Sequence, residues 1–430
     1  MTRKDGVSRR RRILRGTSGT LRLSACLNVI LLIIFRPVFT TAQPAGDREY
    51  EFVESSPLET ALDIPEMRNT AEVWLEMINA AAHTLDIEQF YVANKPGESL
   101  DTVVRAIVGA ARRGVRVRLL VDGRMYRTYP ETVDSLGKQP GITARVIDYG
   151  RLAGGVQHAK FFVVDGQSLF IGSQNFDWRS LIHIRELGLR IRHDATVQFF
   201  ACVFETDWLL AEKDDWSQQA ACIGRGLPAT PFLFLSPGGD TAWVTPTGSP
   251  RTSLPDTLLW DEPQIVRLID GAQQELCLQF LSYSRQGRDR TDYPILDDAL
   301  RRAAGRGVRV RMVVSDWEKA TPAEATLKAL SARPNIEVRF SVIPEWSGGY
   351  IPYGRVEHCK FILADGKRFW LGTSNGEKSY FHTSRNVGVL IDSKSLGSEL
   401  RRFFMKGWDG PYLEPVTEDG IYRARRHGGE

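Results

Sequence analysis

The segment Val156-Gln157-His158-Ala159-Lys160-Phe161-Phe162-Val163-Val164-Asp165-Gly166 carries an imidazole and an ammonium two residues apart on an apolar strand. Side chains alternate across a strand, so His158 and Lys160 share one face and Ala159 and Phe161 the other. The Asp-Gly pair predicts a hairpin turn, with Leu169-Phe170-Ile171-Gly172-Ser173-Gln174-Asn175 as the return strand. The arrangement recurs 200 residues later as His358-Cys359-Lys360, Asp365-Gly366 and Gly372-Thr373-Ser374-Asn375. In each copy an asparagine stands seventeen residues beyond the histidine. Two such sets converging would make a twofold-symmetric pocket suited to a phosphodiester. Lys160 and Lys360 would neutralise phosphoryl oxygens, and Asn175, Asn375, Ser173 and Thr373 would hydrogen-bond them. A histidine would attack phosphorus or transfer protons. One His-x-Lys on an apolar strand says little; two copies with the same downstream asparagine argue for chemistry.

The elements that must position these groups repeat too. Ala111-Arg112-Arg113-Gly114-Val115-Arg116-Val117 returns as Ala304-Gly305-Arg306-Gly307-Val308-Arg309-Val310, and Thr84-Leu85-Asp86-Ile87 answers to Glu275-Leu276-Cys277-Leu278. Each half reads as an amphipathic helix (Ala71 to Ala82; Glu262 to Ala272), an apolar strand, a second helix (Leu100 to Arg113; Ile295 to Arg306) and another strand. Alternation of this kind predicts an α/β fold. It would have two homologous lobes, each a mixed, mostly parallel sheet flanked by helices, with the site at the pseudo-twofold interface. The lobes are expected over residues 43–225 and 263–430, joined by a Pro-rich linker at 226–262.

With 430 residues, 42% apolar and 25% charged, the chain is an ordinary globular one. Its net charge of +4 suggests an anionic partner only until the charges are located: residues 1–42 hold nine basic residues and one acid, leaving −4 for residues 43–430. That cationic run, the apolar stretch Leu23 to Phe35 and the small residues before Pro44 read as an export signal or an N-terminal membrane anchor. Arg10-Arg11-Arg12 also fits, weakly, a twin-arginine pattern. The body is thus expected to work in an exported, periplasmic, secreted or lumenal setting, with membrane association through the N-terminus. Cys202 and Cys222 are candidates for a bridge there, while Cys277 and Cys359 read as buried thiols. No His/Cys cluster suggests a metal, and no cofactor is expected.

The duplicated H-x-K-x-x-x-x-D followed by G-S/T-x-N resembles the phospholipase D superfamily, from about Glu59 to Tyr412. Gly172-Ser173-Gln174-Asn175-Phe176-Asp177-Trp178, Ile351-Pro352-Tyr353-Gly354 and Trp408-Asp409-Gly410-Pro411-Tyr412 are similar to the branch of type II membrane phospholipase-D-like proteins and their poxviral relatives, several of which resemble 5′-exonucleases. The resemblance implies a metal-independent phosphodiesterase acting through a phosphohistidine. Its substrate would be phospholipid or the end of single-stranded nucleic acid. His158 would be the nucleophile and His358 the general acid, with the lysines and asparagines holding the phosphoryl oxygens. Glu186, 28 residues beyond His158, matches the carboxylate that fixes the nucleophile's tautomer; Asn386 occupies that spacing after His358.

Asp165 and Asp365, at Asp-Gly turns, are expected to hold backbone rather than react. Trp178 and Arg179 either meet substrate or pack their loop, and Tyr380 and Phe381 either stack on a nucleobase or pack the core. Gly372-Thr373-Ser374-Asn375-Gly376 also fits the G-x-S-x-G nucleophile elbow, without a suitable acid and histidine after it. The rival functions are a phosphatidyltransferase of cardiolipin-synthase type, which shares the covalent step, and a non-catalytic binding pseudoenzyme. Because the duplication supplies both half-sites, no oligomer is required.

Overall fold

The computed structural model describes residues 49–213, 230–236, 238–254 and 256–428. Residues 1–42, read above as signal or anchor, and Cys222 lie outside them. The strands of the first lobe are β1 (Tyr50–Ser55), β2 (Arg68–Asn69), β3 (Thr84–Gln89), β4 (Val92–Ala93), β5 (Arg116–Asp122), β6 (Ile142–Ile147), β7 (Phe161–Val164), β8 (Ser168–Gly172), β9 (Phe176–Asp177) and β10 (Glu186–Ile191). Those of the second are β11 (Phe232–Leu235), β12 (Thr241–Ser249), β13 (Glu275–Phe280), β14 (Arg309–Ser315), β15 (Ile336–Ser341), β16 (Phe361–Ala364), β17 (Arg368–Gly372), β18 (Asn386–Asp392) and β19 (Leu413–Pro415). Two sheets result, ordered β2-β1-β10-β8-β7-β3-β5-β6 and β11-β12-β18-β17-β16-β13-β14-β15-β19, with β4 and β9 forming a separate small pair.

The local signals act as expected. Asn69 caps helix Thr70–Ala80 by accepting from the Ala71 amide at 2.9 Å. Helices Ser99–Arg112 and Ile295–Gly305 each stop before a glycine in the left-handed region, Gly114 and Gly307, which turns the chain into the next strand. Parallel pairing is narrower than the sequence suggests. Within the two sheets it links β3, β5 and β6, and β13, β14 and β15, the strands joined by helical crossovers, and β1 with β2 at an edge; the separate β4-β9 pair is parallel too. The strands carrying the site, β7-β8-β10 and β16-β17-β18, are antiparallel, and a tight Asp-Gly turn joins the first two of each set. The sheets are therefore mixed, and the expectation of mostly parallel sheets is corrected.

The linker assignment is corrected as well. Within 226–262, β11 and β12 extend the second sheet, with Ser249 opposite Asn386. β12 thus does for the second lobe what β1 does for the first, where Ser55 lies opposite Glu186. Pro231 directly precedes β11, Pro246 lies within β12 and Pro250 follows it, so these prolines flank and interrupt strands rather than form a spacer.

Each sheet buries one face under its own helices: Trp74, Val103 and Ile107 cover Phe162 and Phe170, while Ile265, Leu300 and Ala303 cover Ile362 and Trp370. The opposite faces meet in one core across the lobes, which includes Phe161, Phe200, Phe361 and Phe404, with Phe52 and Phe369 in ring contact at 5.6 Å. The lobes cannot shift against each other without opening that core, so the site they share has a rigid floor.

Candidate active site

The strand leading to each hairpin crosses to the other lobe before it enters its own sheet. The His158 amide donates to the Arg385 carbonyl at 2.8 Å and the Arg385 amide to Val156 at 2.9 Å; reciprocally, His358 donates to Arg185 at 3.0 Å and Arg185 to Val356 at 3.0 Å. The next residue along each partner strand is therefore delivered to the opposite histidine. His158 Nδ1 meets Asn386 Oδ1 at 3.0 Å, and His358 Nδ1 meets Glu186 Oε2 at 2.8 Å. This corrects the expected pairing of Glu186 with His158: the carboxylate serves His358 and the amide serves His158.

The amide's orientation sets a tautomer. Asn386 Nδ2 donates to the Tyr380 carbonyl at 2.8 Å and its Oδ1 accepts from Thr373 at 2.9 Å, so the oxygen faces His158 and Nδ1 of that ring carries the proton. The Nε2 lone pair of neutral His158 is thereby left for chemistry. Glu186 is held from behind by Ser180 at 2.9 Å, and burial pushes its carboxyl up to about 7. Burial and then the neighbouring lysines hold both histidines well below the ordinary imidazole value.

Lys160 and Lys360 each donate to the carbonyl of their own histidine, the former at 2.7 Å. Burial and mutual repulsion lower Lys160, and burial brings Lys360 down to about 8. Two buried ammonium groups that repel each other are costly until an anion neutralises them, so the arrangement is chemically suited to an anionic ligand. Asn175 and Asn375, also buried, leave carboxamide atoms without a hydrogen-bond partner, consistent with donors and acceptors kept for a ligand.

The predicted phosphate-binding hydroxyls are used elsewhere. Ser173 bridges the Leu187 amide and carbonyl at 3.0 and 3.2 Å, and Thr373 does likewise at Val387 while orienting Asn386. They stand behind the histidines and brace the residues that brace the rings. Asp165 accepts from the amides of Ala82, His83 and Thr84, and Asp365 from those of Gln273, Gln274 and Glu275. These carboxylates fasten the start of β3 and β13 to the hairpin turns, at the far end of the strand from the histidines.

Arg179 is bound by Asp177 at 2.6 Å and donates to the Pro352 carbonyl, so it packs the loop. Tyr380 and Phe90 stand edge-on to His158 at 4.9 and 4.8 Å, whereas Phe381 is buried in the second-lobe core. Ser374 hydrogen-bonds Asp261 at 3.1 Å in a buried position with no histidine partner, unlike a nucleophile elbow.

The pseudosymmetry fails in one place that matters for access. A cleft of about 410 Å³ opens over His158, lined among others by Phe90, Arg124, Val156, Arg288, Tyr380 and Ser384. The internal repeat places Leu281, Trp317, Val356 and Ile184 at the positions of Phe90, Arg124, Val156 and Ser384. Those four pack together as one apolar cluster on the His358 side. Two of the four positions over His158, Arg124 and Ser384, are polar, whereas all four equivalents on the His358 side are apolar and packed together.

Several residues escaped the sequence reading. Arg385, fully buried, forms an ion pair with Asp207 at 2.6 Å, and Arg185 faces Glu357 at 3.7 Å. Beneath His158, Gln157 donates to Glu88 at 2.9 Å; the corresponding second-lobe residues are Glu357 and Gln279, the same two groups exchanged. Burial and then Asp207 raise the Glu88 carboxyl well above its usual range. Arg185 and Arg385 recur at the 200-residue offset immediately before Glu186 and Asn386, a signal the repeat already carried.

Fold and site together define a duplicated enzyme with one histidine-lysine-asparagine set per lobe. The chain matches the family described as cardiolipin synthase, PLD-like domain, twice, over residues 74–208 and 265–408, and it belongs to the phospholipase D superfamily. It is a phosphodiesterase of that superfamily. Phospholipase D Z of Dictyostelium discoideum is 30% identical over 389 residues, covering 85% of this chain and 90% of that protein. The 5'-3' exonuclease PLD3 of Bos taurus is 28% identical over 421 residues, covering 88% and 83%. The crystal structure of phosphatidylserine synthase from Haemophilus influenzae superposes with a TM-score of 0.62 at 12% identity, covering 86% and 87%, which shows the shared fold.

Proposed function

We propose that the chain hydrolyses phosphodiesters through a covalent phosphohistidine, with the end of a single-stranded nucleic acid as substrate. The carrying observation is the unequal bracing of the two histidines, an amide on His158 and a carboxylate on His358. A nucleophile needs an unprotonated Nε2, which an amide partner leaves neutral; a general acid needs its second proton, which a carboxylate favours. His158 Nε2 attacks phosphorus, the bond to the leaving oxygen breaks, and His358 gives that oxygen its proton. His358 then takes a proton from water, whose oxygen attacks phosphorus and breaks the N–P bond. Lys160, Lys360, Asn175 and Asn375 hold the non-bridging oxygens throughout. The His158 assignment thus stands on a different argument from the sequence expectation, since the carboxylate sits on the other ring.

Three features support a strand end over a lipid headgroup: the one-sided cleft, the Tyr380 and Phe90 rings beside His158, and Arg124 and Arg288 on its walls. The similarity to a 5'-3' exonuclease agrees, while that to phospholipase D Z keeps phospholipid as the rival. A phosphatidyltransferase would use the same intermediate with an alcohol acceptor, and product analysis separates the two. We also propose that residues 1–42 export or anchor the chain, which cell fractionation tests. For the chemistry, purified protein is incubated with labelled oligonucleotide or phosphatidylcholine in excess chelator. Cleavage of the oligonucleotide, and an acid-labile phosphorylated protein in His358→Asn but not in His158→Asn, is expected. Absence of both products overturns the reading.

A further inference from the structure

The apolar cluster on the His358 side lies where the repeat would otherwise build a second cleft. Val356 is two residues before His358, and Ile184 precedes Arg185, whose carbonyl accepts the His358 amide. Leu281 and Trp317 close the set: Leu281 is 9% exposed, Ile184 6% and Val356 1%, with Trp317 packed over them and in ring contact with Tyr353 at 6.1 Å. At the matching positions over His158, Arg124 and Ser384 are polar and line open space.

A phosphate inside a polymer has chain on both sides and needs two exits from the site. A terminal phosphodiester needs one exit, because its other arm ends within the pocket. We propose that Trp317, with Ile184, Leu281 and Val356, is the specificity element of this site: a plug that confines it to strand ends and denies it internal phosphodiesters. The plug touches no reacting atom; it acts by occupying the path a continuing strand would take, and its burial keeps it in place. This rests on the strand-end reading above and assigns the residues that impose it. Both lobes thereby supply catalytic groups and walls of the cleft, and the entrance lies over His158 rather than His358.

The experiment compares a linear single-stranded oligonucleotide with the same sequence ligated into a circle. Full-length protein is compared with Trp317→Arg/Ile184→Ser, which installs the residue types found over His158. Trp317→Ala/Ile184→Ala serves as a second variant if the first melts at a markedly lower temperature. Wild type is expected to degrade the linear form and leave the circle intact, and a folded variant to linearise the circle while retaining cleavage of the linear form. Circle cleavage by wild type, or a folded variant active on linear substrate that still spares the circle, overturns the plug. Failure of wild type on the linear oligonucleotide overturns the strand-end reading itself, and the plug falls with it.

Discussion

His358 and Glu186 are 172 residues apart in sequence and 2.8 Å apart in the structure, Nδ1 to Oε2, with the carboxylate contributed by the opposite lobe. His158 takes Asn386 in the same crossed manner at 3.0 Å, so two nearly equal histidines receive unequal partners. The proposed direction of catalysis rests on that inequality.

Replacing Glu186 by Gln removes the carboxylate that favours the second proton on His358. The turnover number should fall about 10²-fold or more, with little change in KM, since acid catalysis of the leaving group is the step affected. The alkaline limb of the pH profile should move to lower pH. An unchanged alkaline limb in steady-state assays would show that His358 is not the acid.

The converse change, Asn386→Asp, places an anion beside the nucleophile. Its attraction should raise the His158 pKa by about one to three units and move the acidic limb of kcat/KM upward accordingly. Activity at acidic pH drops while activity at alkaline pH is retained. If only the alkaline limb responds, the two histidines exchange roles.

Stability should also depend on His158. Its folded-state pKa lies well below 6.5 through burial and the nearby lysines, so the unfolded chain takes up a proton near pH 6.5 that the folded chain refuses. The contribution is complete above pH 6.5 and is lost as pH falls below it, at up to about 1.4 kcal/mol per pH unit. Urea titrations between pH 7 and 5 should show this slope in wild type and a shallower one in His158→Gln. Equal slopes would place the loss elsewhere.

Arg385 and Asp207 are both fully buried, so removing one charge strands the other. Asp207→Asn should cost about 3–5 kcal/mol, seen as a lowered denaturation midpoint. Glu88→Gln should cost less than about 1 kcal/mol, because burial disfavours the charged carboxylate there and the second lobe already has Gln279 at that position. A large loss in Glu88→Gln would mean that Glu88 is ionised in the fold.

Most of the chemistry was legible because catalytic groups on strands leave fixed spacings, and duplication doubles the signal. His158, Lys160, His358 and Lys360, which the pattern singled out, lie close enough to act on one another's charge. Ser173 and Thr373 share that spacing yet point behind the rings, since their hydroxyls are captured by the amides of Leu187 and Val387 on the neighbouring strand. Strands β11 and β12 were hidden by prolines that reads of local propensity take for a linker, although both edge strands and turns accommodate proline.

The sequence by itself determined the inventory: two histidine-lysine-asparagine sets, one glutamate and one asparagine at matching offsets, and two lobes to hold them. Only the tertiary structure decided the distribution. A side chain's place along its own strand follows from backbone periodicity, but its partner across a lobe interface depends on which strand of the other half lies beside it. The crossing of His158 onto Arg385 and of His358 onto Arg185 is set by the packing of a shared core. That packing gave Glu186 to His358 and set Trp317 against an apolar cluster where its counterpart Arg124 lines the cleft over His158, and no local spacing records either outcome.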